Sequence, residues 1–112
     1  MAHTLLNAAT STGAGSSQRL SLIPSDHTIQ ATMGGTVVAT AVTVDLEGSI
    51  DDVTFFQLAR HAFSAGEITA EGAMFHVIDK PVRYVRANLI TLTGGTAPTV
   101  TVKYEPVIQD RG

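Results

Sequence analysis

The amino-acid sequence predicts an all-β protein built as a single antiparallel β-sandwich of about eight strands. Apolar and polar residues alternate from 38 to 46 and again from 99 to 105, which is the period of a strand with one buried face. Turn-forming Gly, Pro, Ser and Asp residues punctuate the chain roughly every 8–12 residues, the spacing typical of sandwiches and barrels. The sequence lacks the regular alternation of strands with helices that a parallel sheet requires.

The segment from Arg83 to Glu105 carries this pattern most clearly. A long strand leads into a Gly-Gly turn, where glycine allows the positive φ that a chain reversal needs. The strand after the turn alternates strictly and places Val100, Val102 and Tyr104 on one face. We therefore predict a C-terminal β-hairpin that closes the sandwich.

The earlier part of the chain divides into an N-terminal segment and a series of strands. Residues 1–17 contain either a short strand at Leu5–Ala9 or an extended arm, followed by the flexible hinge sequence STGAGSS. We predict an arm and hinge at 1–17 and a β-sandwich domain at 18–112. The predicted strands before the hairpin are Arg19–Ile23, His27–Met33, Thr36–Glu47 and Ala73–Ile78, with a short segment at Glu67–Thr69.

The segment 52–63 fits two structures. A helix would use Ser49 as its N-cap and place Phe55, Leu58 and Ala62 on one stripe. A strand would point Phe56 and Leu58 inward, and we favour it because strands flank the segment on both sides. The predicted core consists of Val42, Val44, Phe56, Leu58, Phe75, Val85, Leu89, Val100, Val102 and Tyr104.

Composition restricts the class of function. Charged residues make up only 15% of the chain, against roughly a quarter in average proteins, and the net charge is −3, so we expect no nucleic-acid partner. The chain has no cysteine and therefore no disulfide. Neither a signal peptide nor an apolar run of about 20 residues is present, so we expect a soluble protein made in the cytoplasm, with no membrane partner.

The sequence shows no constellation of catalytic residues. The four histidines lack metal-ligand spacing; we expect His27 and His61 to be exposed and His76 to lie on an outer strand face. An acidic cluster, Asp45, Glu47, Asp51 and Asp52, suggests calcium, but a solvated edge is the default reading because the order of an EF-hand loop is absent. We expect no enzymatic activity, no cofactor and no metal site.

The run from Val42 to Glu105 resembles small virion proteins of tailed bacteriophages. The shared pattern is a Val/Thr strand with a Leu-Glu-Gly-Ser turn, an aromatic pair, an Arg-Tyr-Val-Arg strand and a Leu-Thr-Gly-Gly-Thr turn. Here these parts read VTVDLEGSIDD, TFFQLA, RYVRANL and LTGGTAPTVTVKYE. In such proteins the first turn often reads Ser-x-Asp-Gly, and Asp52 stands where the glycine would be.

This resemblance implies a jelly-roll-like sandwich and a capsid decoration (cement or staple) protein in the virion. Its implied partners are the major capsid protein of a phage shell and further copies of itself, with a trimer as first choice and a dimer as second. One alternative is a tail or head–tail structural subunit. Another is a carbohydrate-binding sandwich module, although such modules usually carry exposed aromatic side chains, and this chain has no Trp and two Tyr.

The N-terminal segment fits a docking role in that setting. Leu5 and Leu6 are too apolar for a free tail, so we predict that they contact a neighbouring subunit or the shell. On this interpretation, removal of residues 1–12 would leave the sandwich folded and weaken assembly.

Overall fold

The computed structural model describes residues 3–107 and confirms the all-β prediction. Nine strands and one short helix occupy this part of the chain. In chain order they are β1 (His3–Ala9), β2 (Gly13–Ala14), β3 (Gln18–Arg19), β4 (Asp26–Gly34), β5 (Ala41–Ser49), β6 (Phe56–Ala62), α1 (Ala65–Ala70), β7 (Gly72–Val77), β8 (Tyr84–Thr93) and β9 (Thr99–Val107).

The strands form two antiparallel sheets packed face to face. The first sheet has the order β1-β9-β4-β7, and the second has the order β2-β8-β5-β6 with β3 also paired to β8. Because β2 and β3 are two-residue strands that pair with the same partner, they act as one interrupted strand. The remaining connections cross repeatedly between the sheets, which gives the jelly-roll arrangement.

The inward faces of both sheets form one hydrophobic core. Leu58 and Phe75, which were predicted to be buried, are half-buried and pack against it. Seven other predicted core residues are buried: Val42, Val44, Val85, Leu89, Val100, Val102 and Tyr104. The period-two pattern therefore predicted the core correctly along β5, β8 and β9.

Phe56 is the exception, because its side chain is 69% exposed. The strand interpretation of segment 52–63 is confirmed, but β6 contains a bulge. Gln57 and Ala59 pair with consecutive residues of β5, so Leu58 between them has no partner of its own. An extra residue of this kind shifts the alternation of faces, and a prediction that assumes strict alternation then places Phe56 on the wrong side.

The N-terminal segment differs from the predicted arm. Residues 3–9 form an edge strand of the first sheet, and Leu5 and Leu6 lie in the core of the same chain at 4% and 8% exposure. Two neighbouring leucines both face inward because a bulge interrupts the pairing with β9 between Thr4 and Leu6. A second irregularity follows at Ala8, whose φ is 49° and whose N–H donates to Thr101 Oγ1. The apolar character of the two leucines is thus explained without a partner.

The predicted C-terminal hairpin is also wrong, although both of its strands exist. β8 lies in the second sheet and β9 in the first, so they are not paired with each other. The connecting residues 94–98 have room to span the roughly 10 Å between packed sheets. Gly94 and Gly95 adopt the positive φ that the turn was predicted to need.

A short helix replaces the strand-like segment predicted at Glu67–Thr69. Ser64 is its N-cap: the Ser64 side chain accepts a hydrogen bond from the Glu67 N–H, and the Glu67 carboxylate accepts one from the Ser64 N–H. This capping box is visible in the sequence as Ser-x-x-Glu and could have predicted the helix. At six residues, the helix is far too short to cross a membrane, and residues 3–107 contain no other helix.

Candidate docking surface

Three loops meet at one end of the sandwich. They are residues 20–25 between β3 and β4, residues 50–55 between β5 and β6, and residues 78–83 between β7 and β8. The antiparallel register fixes this arrangement, because Ser49 at the end of β5 faces Tyr84 at the start of β8. The same end carries the last residue of β9, which faces the first residue of β4.

Hydrogen bonds between the loops make this end a preformed surface. The Lys80 N–H donates to the Ser25 carbonyl at 3.0 Å, and the Arg83 N–H donates to the Ser49 carbonyl at 3.2 Å. The Arg83 guanidinium also donates to the carbonyls of Leu20 and Ser21, at 2.8 and 3.2 Å. Loops 20–25 and 78–83 are thus hydrogen-bonded to each other, and loop 78–83 is also bonded to the end of β5, so these backbone groups have partners without a ligand.

His27 supports the loop 78–83 from beneath. It was predicted to be exposed, yet it is 1% exposed, because the alternation that buries Ile29 also points His27 inward. Its Nε2 lies 2.7 Å from the Lys80 carbonyl, which can only accept, so Nε2 carries the proton. Nδ1 is then an acceptor and takes the hydrogen bond of the Tyr104 hydroxyl at 2.5 Å. The neutral imidazole is the form that this site holds.

This arrangement predicts a loss of stability in mild acid. Burial lowers the pKa of His27 below its usual value of 6.5, so the unfolded chain takes up a proton more readily than the folded one. The free energy of unfolding should therefore fall as the pH drops below about 6.5. Urea denaturation between pH 7.5 and 5 tests this expectation. His27→Gln should flatten the pH dependence, whereas His76→Gln, an exposed control, should keep it; equal slopes for wild type and His27→Gln would contradict the assignment.

The end formed by these loops is markedly apolar. Seven of the ten exposed large hydrophobic residues among residues 3–107 lie there, so we call this surface the apolar end. Its members are Leu22, Ile23, Ile50, Val53, Phe56, Ile78 and Val107. Isolated exposed apolar residues are normal on a protein surface, whereas several at one end of a molecule make that end a candidate docking surface.

The loop 50–55 shows how the fold presents such residues to solvent. The Asp51 Oδ1 accepts hydrogen bonds from the N–H groups of Val53 and Thr54, and from the Ser49 hydroxyl. The Ser49 oxygen in turn accepts from the N–H groups of Asp51 and Asp52. The hydrogen bonds that the Asp51 carboxylate accepts from Thr54, Val53 and Ser49 hold the pKa of Asp51 below its usual range. Ser49 and Asp51 bond the loop backbone from one side, and the apolar side chains of the loop stand in solvent, with Ile50 81% and Val53 80% exposed.

A pocket of about 400 Å³ opens beside this loop. Phe56 and Ile50 line its mouth, and Leu58 and Val82 lie deeper. The backbone beneath them is Gly48, where a Cβ atom would lie 2.7 Å from a Val82 methyl and 2.8 Å from a Leu58 methyl. Glycine at this position therefore lets these two side chains pack close to β5.

The outer face of the second sheet has a different character, since its charges are paired. Arg60 binds Asp45 through two hydrogen bonds of 2.7 and 2.9 Å. Arg86 donates to Glu47 at 2.6 Å, and Asn88 donates to the other Glu47 oxygen at 3.1 Å. Asp45 was predicted to be solvated and is instead buried beneath its arginine. This face is held together internally and offers few unused polar groups to a ligand.

The four carboxylates considered for calcium do not form a common site. Asp45 and Glu47 are paired with arginines, while Asp51 holds its own loop. Across residues 3–107, no three His, Asp or Glu side chains are close enough to hold a metal ion. Asp52, which stands where the similar virion proteins often have glycine, adopts a φ of 62°, a conformation that glycine favours.

Of the two other histidines whose exposure was predicted, one agrees with the prediction and one does not. His76 is exposed on the outer face of β7 as predicted. His61 is half-buried rather than exposed: it stacks on Phe75 with ring centroids 5.0 Å apart and donates to Glu67 at 2.9 Å. It therefore ties helix α1 to the neighbouring strands.

The residues of the apolar end were not singled out from the sequence. Leu5 and Leu6, which were predicted to contact a partner, lie in the core and take no part in this surface. The sequence feature that could have indicated this surface is the presence of apolar residues in turn-like segments. Examples are Leu22 and Ile23 before Pro24, and SIDDV at 49–53. Sequence alternation could not show that these separate segments meet.

Comparison with solved structures identifies the fold. No protein-family model matches the chain, and no curated protein matches it by sequence. The SPBc2 prophage-derived protein YomS superimposes with a TM-score of 0.60 at 13% identity, covering 93% of this chain and 88% of that one. The PBSX exported protein XepA gives a TM-score of 0.62 at 13% identity over 100% of this chain, which spans 38% of XepA.

A third similar structure is the C-terminal domain of a chitobiase from Bacteroides fragilis. Its TM-score is 0.53 at 11% identity, covering 79% of this chain and 58% of that domain. At these identities the likeness is one of fold. The chain is thus a two-sheet β-sandwich of a type that occurs in prophage-derived proteins.

Proposed function

We propose that this chain is a structural protein of a bacteriophage particle, and specifically a capsid decoration protein. It is made in the cytoplasm of the host bacterium, binds the outside of the head and stabilises the shell. It forms a homo-oligomer, with a trimer at local threefold points as first choice and a dimer as second. This role needs no catalytic residue, cofactor or metal.

The apolar end is the observation that carries the proposal. Exposed apolar side chains on loops whose backbones are already hydrogen-bonded, loop 50–55 internally and loops 20–25 and 78–83 to each other, are suited to bind a protein surface without prior rearrangement. The elongated molecule measures 46 × 30 × 21 Å and has few charges, which fits a component packed among other proteins. The fold is shared with prophage-derived proteins, which supports a phage setting.

A carbohydrate-binding role receives less support from the residues. Sugar recognition needs polar groups free to bond hydroxyls, usually beside an exposed aromatic ring. On the outer face of the second sheet, Asp45 and Glu47 are bonded to arginines, and Arg86 lies 4.1 Å from the centre of the Phe55 ring. We therefore propose no sugar site.

Binding to heads that lack this protein tests the proposal. The purified chain, mixed with such heads, should co-sediment in near-stoichiometric ratio to the major capsid protein, and purified tails should not carry it down. Co-sedimentation with tails alone would instead indicate a tail or head–tail subunit. Failure to bind either particle, together with binding to a glycan array, would contradict the structural role and favour the carbohydrate-binding alternative.

A further inference from the structure

We propose that the pocket beside Phe56 accepts one large apolar side chain of the partner protein, and that Asp51, which lines the pocket, and its chain neighbour Asp52 bind a basic residue adjacent to that side chain. This inference rests on the proposed function insofar as the apolar end is the docking surface.

The size and lining of the pocket indicate which apolar side chain of the partner it can accept. Its volume of about 400 Å³ lies near the lower end of the roughly 300–1,000 Å³ found for cavities that enclose small organic ligands. One aromatic or branched aliphatic side chain with its backbone fills such a space. The walls are supplied by Ile50, Phe56, Leu58 and Val82, which offer hydrocarbon contacts on several sides. Side chains buried in pockets of this kind dominate the energy of many protein interfaces.

The carboxylates of Asp51 and Asp52 indicate that the neighbouring residue of the partner is basic. The Asp51 pKa is lowered by the hydrogen bonds that its carboxylate accepts, so Asp51 stays ionised at neutral pH. Elsewhere in residues 3–107, Asp45 and Glu47 each have an arginine partner, but neither Asp51 nor Asp52 forms an ion pair with a cation. Two exposed negative charges beside an apolar pocket complement a lysine or arginine next to a large apolar residue.

A second copy of this chain supplies no such segment from its described residues. In residues 3–107 a large apolar residue adjoins a lysine or arginine at six positions, and all of them are buried except the half-buried Tyr84: Leu20, Val82, Tyr84, Val85, Val102 and Tyr104. Tyr104 is buried in the core, and Arg83 is already hydrogen-bonded to the loop 20–25. The occupant is therefore a segment of a different protein, which within the proposed function is the major capsid protein.

Capped dipeptides added to the ¹⁵N-labelled full-length chain test this inference by NMR. The probes are N-acetyl-Arg-Trp-amide, N-acetyl-Glu-Trp-amide and N-acetyl-Arg-Ala-amide. The Arg-Trp dipeptide should shift the amide resonances of residues 48–58 and of Val82, and should bind at least about tenfold more tightly than either of the others. Asp52→Asn should reduce the preference for Arg-Trp over Glu-Trp, since asparagine tolerates the same positive φ.

Two further variants locate the binding. Phe56→Ala should lose the Trp-dependent shifts, while Val37→Ala, an exposed apolar position outside the apolar end, should bind like wild type. Equal binding of all three dipeptides, or shifts unaffected by Phe56→Ala, would overturn the pocket assignment. Concentration-dependent shifts of the same resonances without any peptide would show a second copy as occupant and also overturn it. If the peptides fail while the chain still binds heads, the pocket inference alone is wrong; if heads are not bound, the proposed function is wrong whatever the peptides show.

Discussion

Replacing Leu5 and Leu6 together by alanine is expected to unfold the protein at ordinary temperature. Each buried Leu→Ala change costs about 2–5 kcal/mol, against a total stability of roughly 5–15 kcal/mol for a typical domain. The two side chains are neighbours in one core, so their effects need not add, but either alone removes a large part of the stability. The same change loosens an edge strand whose pairing with β9 is already interrupted twice.

Thermal unfolding followed by circular dichroism measures this effect. The matched control is Thr4→Ala with Asn7→Ala, because both side chains are exposed on the same strand. The control should melt close to wild type, and the leucine variant should show little cooperative transition. A leucine variant that melts within a few degrees of wild type would show that residues 3–9 lie outside the core. That result would favour the prediction that this segment is an arm that contacts a neighbouring subunit.

Introducing aspartate at both Ile50 and Val53 is expected to abolish binding to heads without affecting the fold. Both side chains are exposed, so the change costs little in the free protein. In a docked complex it would bury two charges against an apolar surface. If these positions are hot spots of the interface, each change costs about 2 kcal/mol or more, which corresponds to about a 30-fold or greater loss of affinity.

Co-sedimentation with heads measures this loss, and the melting temperature confirms that the variant is folded. Val37→Asp is the matched control: Val37 is also exposed and apolar, but lies in the connection between β4 and β5 rather than at the apolar end. Loss of binding by the double variant and retention by the control would locate docking at the apolar end. If the double variant still binds like wild type, the docking surface lies elsewhere on the sandwich.

The fold class and most of the core were predictable because they depend on local alternation. In β5, β8 and β9 the period of two runs long enough to fix which side chains face inward, and Val44, Leu89 and Val102 are buried as predicted. The alternation fails where a bulge inserts a residue, at Leu58 in β6 and near Leu5 in β1. A bulge depends on the partner strand, so a single strand's sequence does not reveal it.

The strand pairing and the candidate site were harder to predict from the sequence, because both depend on contacts between segments that are distant in the chain. A Gly-Gly turn permits a reversal but does not determine whether the next strand pairs with the previous one or crosses to the other sheet, as β9 does. The apolar end brings together loops around Leu22, Ile50 and Ile78, which are distant in sequence. Each apolar residue taken singly is unremarkable on a surface; the cluster exists only in the folded chain.

Electron microscopy of the parent particle tests the central claim most directly, because it shows both where the protein is and which end faces the shell. We expect density for this sandwich on the outside of the head, with loops 20–25, 50–55 and 78–83 against the major capsid protein. A head that carries the protein with these loops turned to solvent would contradict the docking surface. A particle that carries it only on the tail would contradict the decoration role.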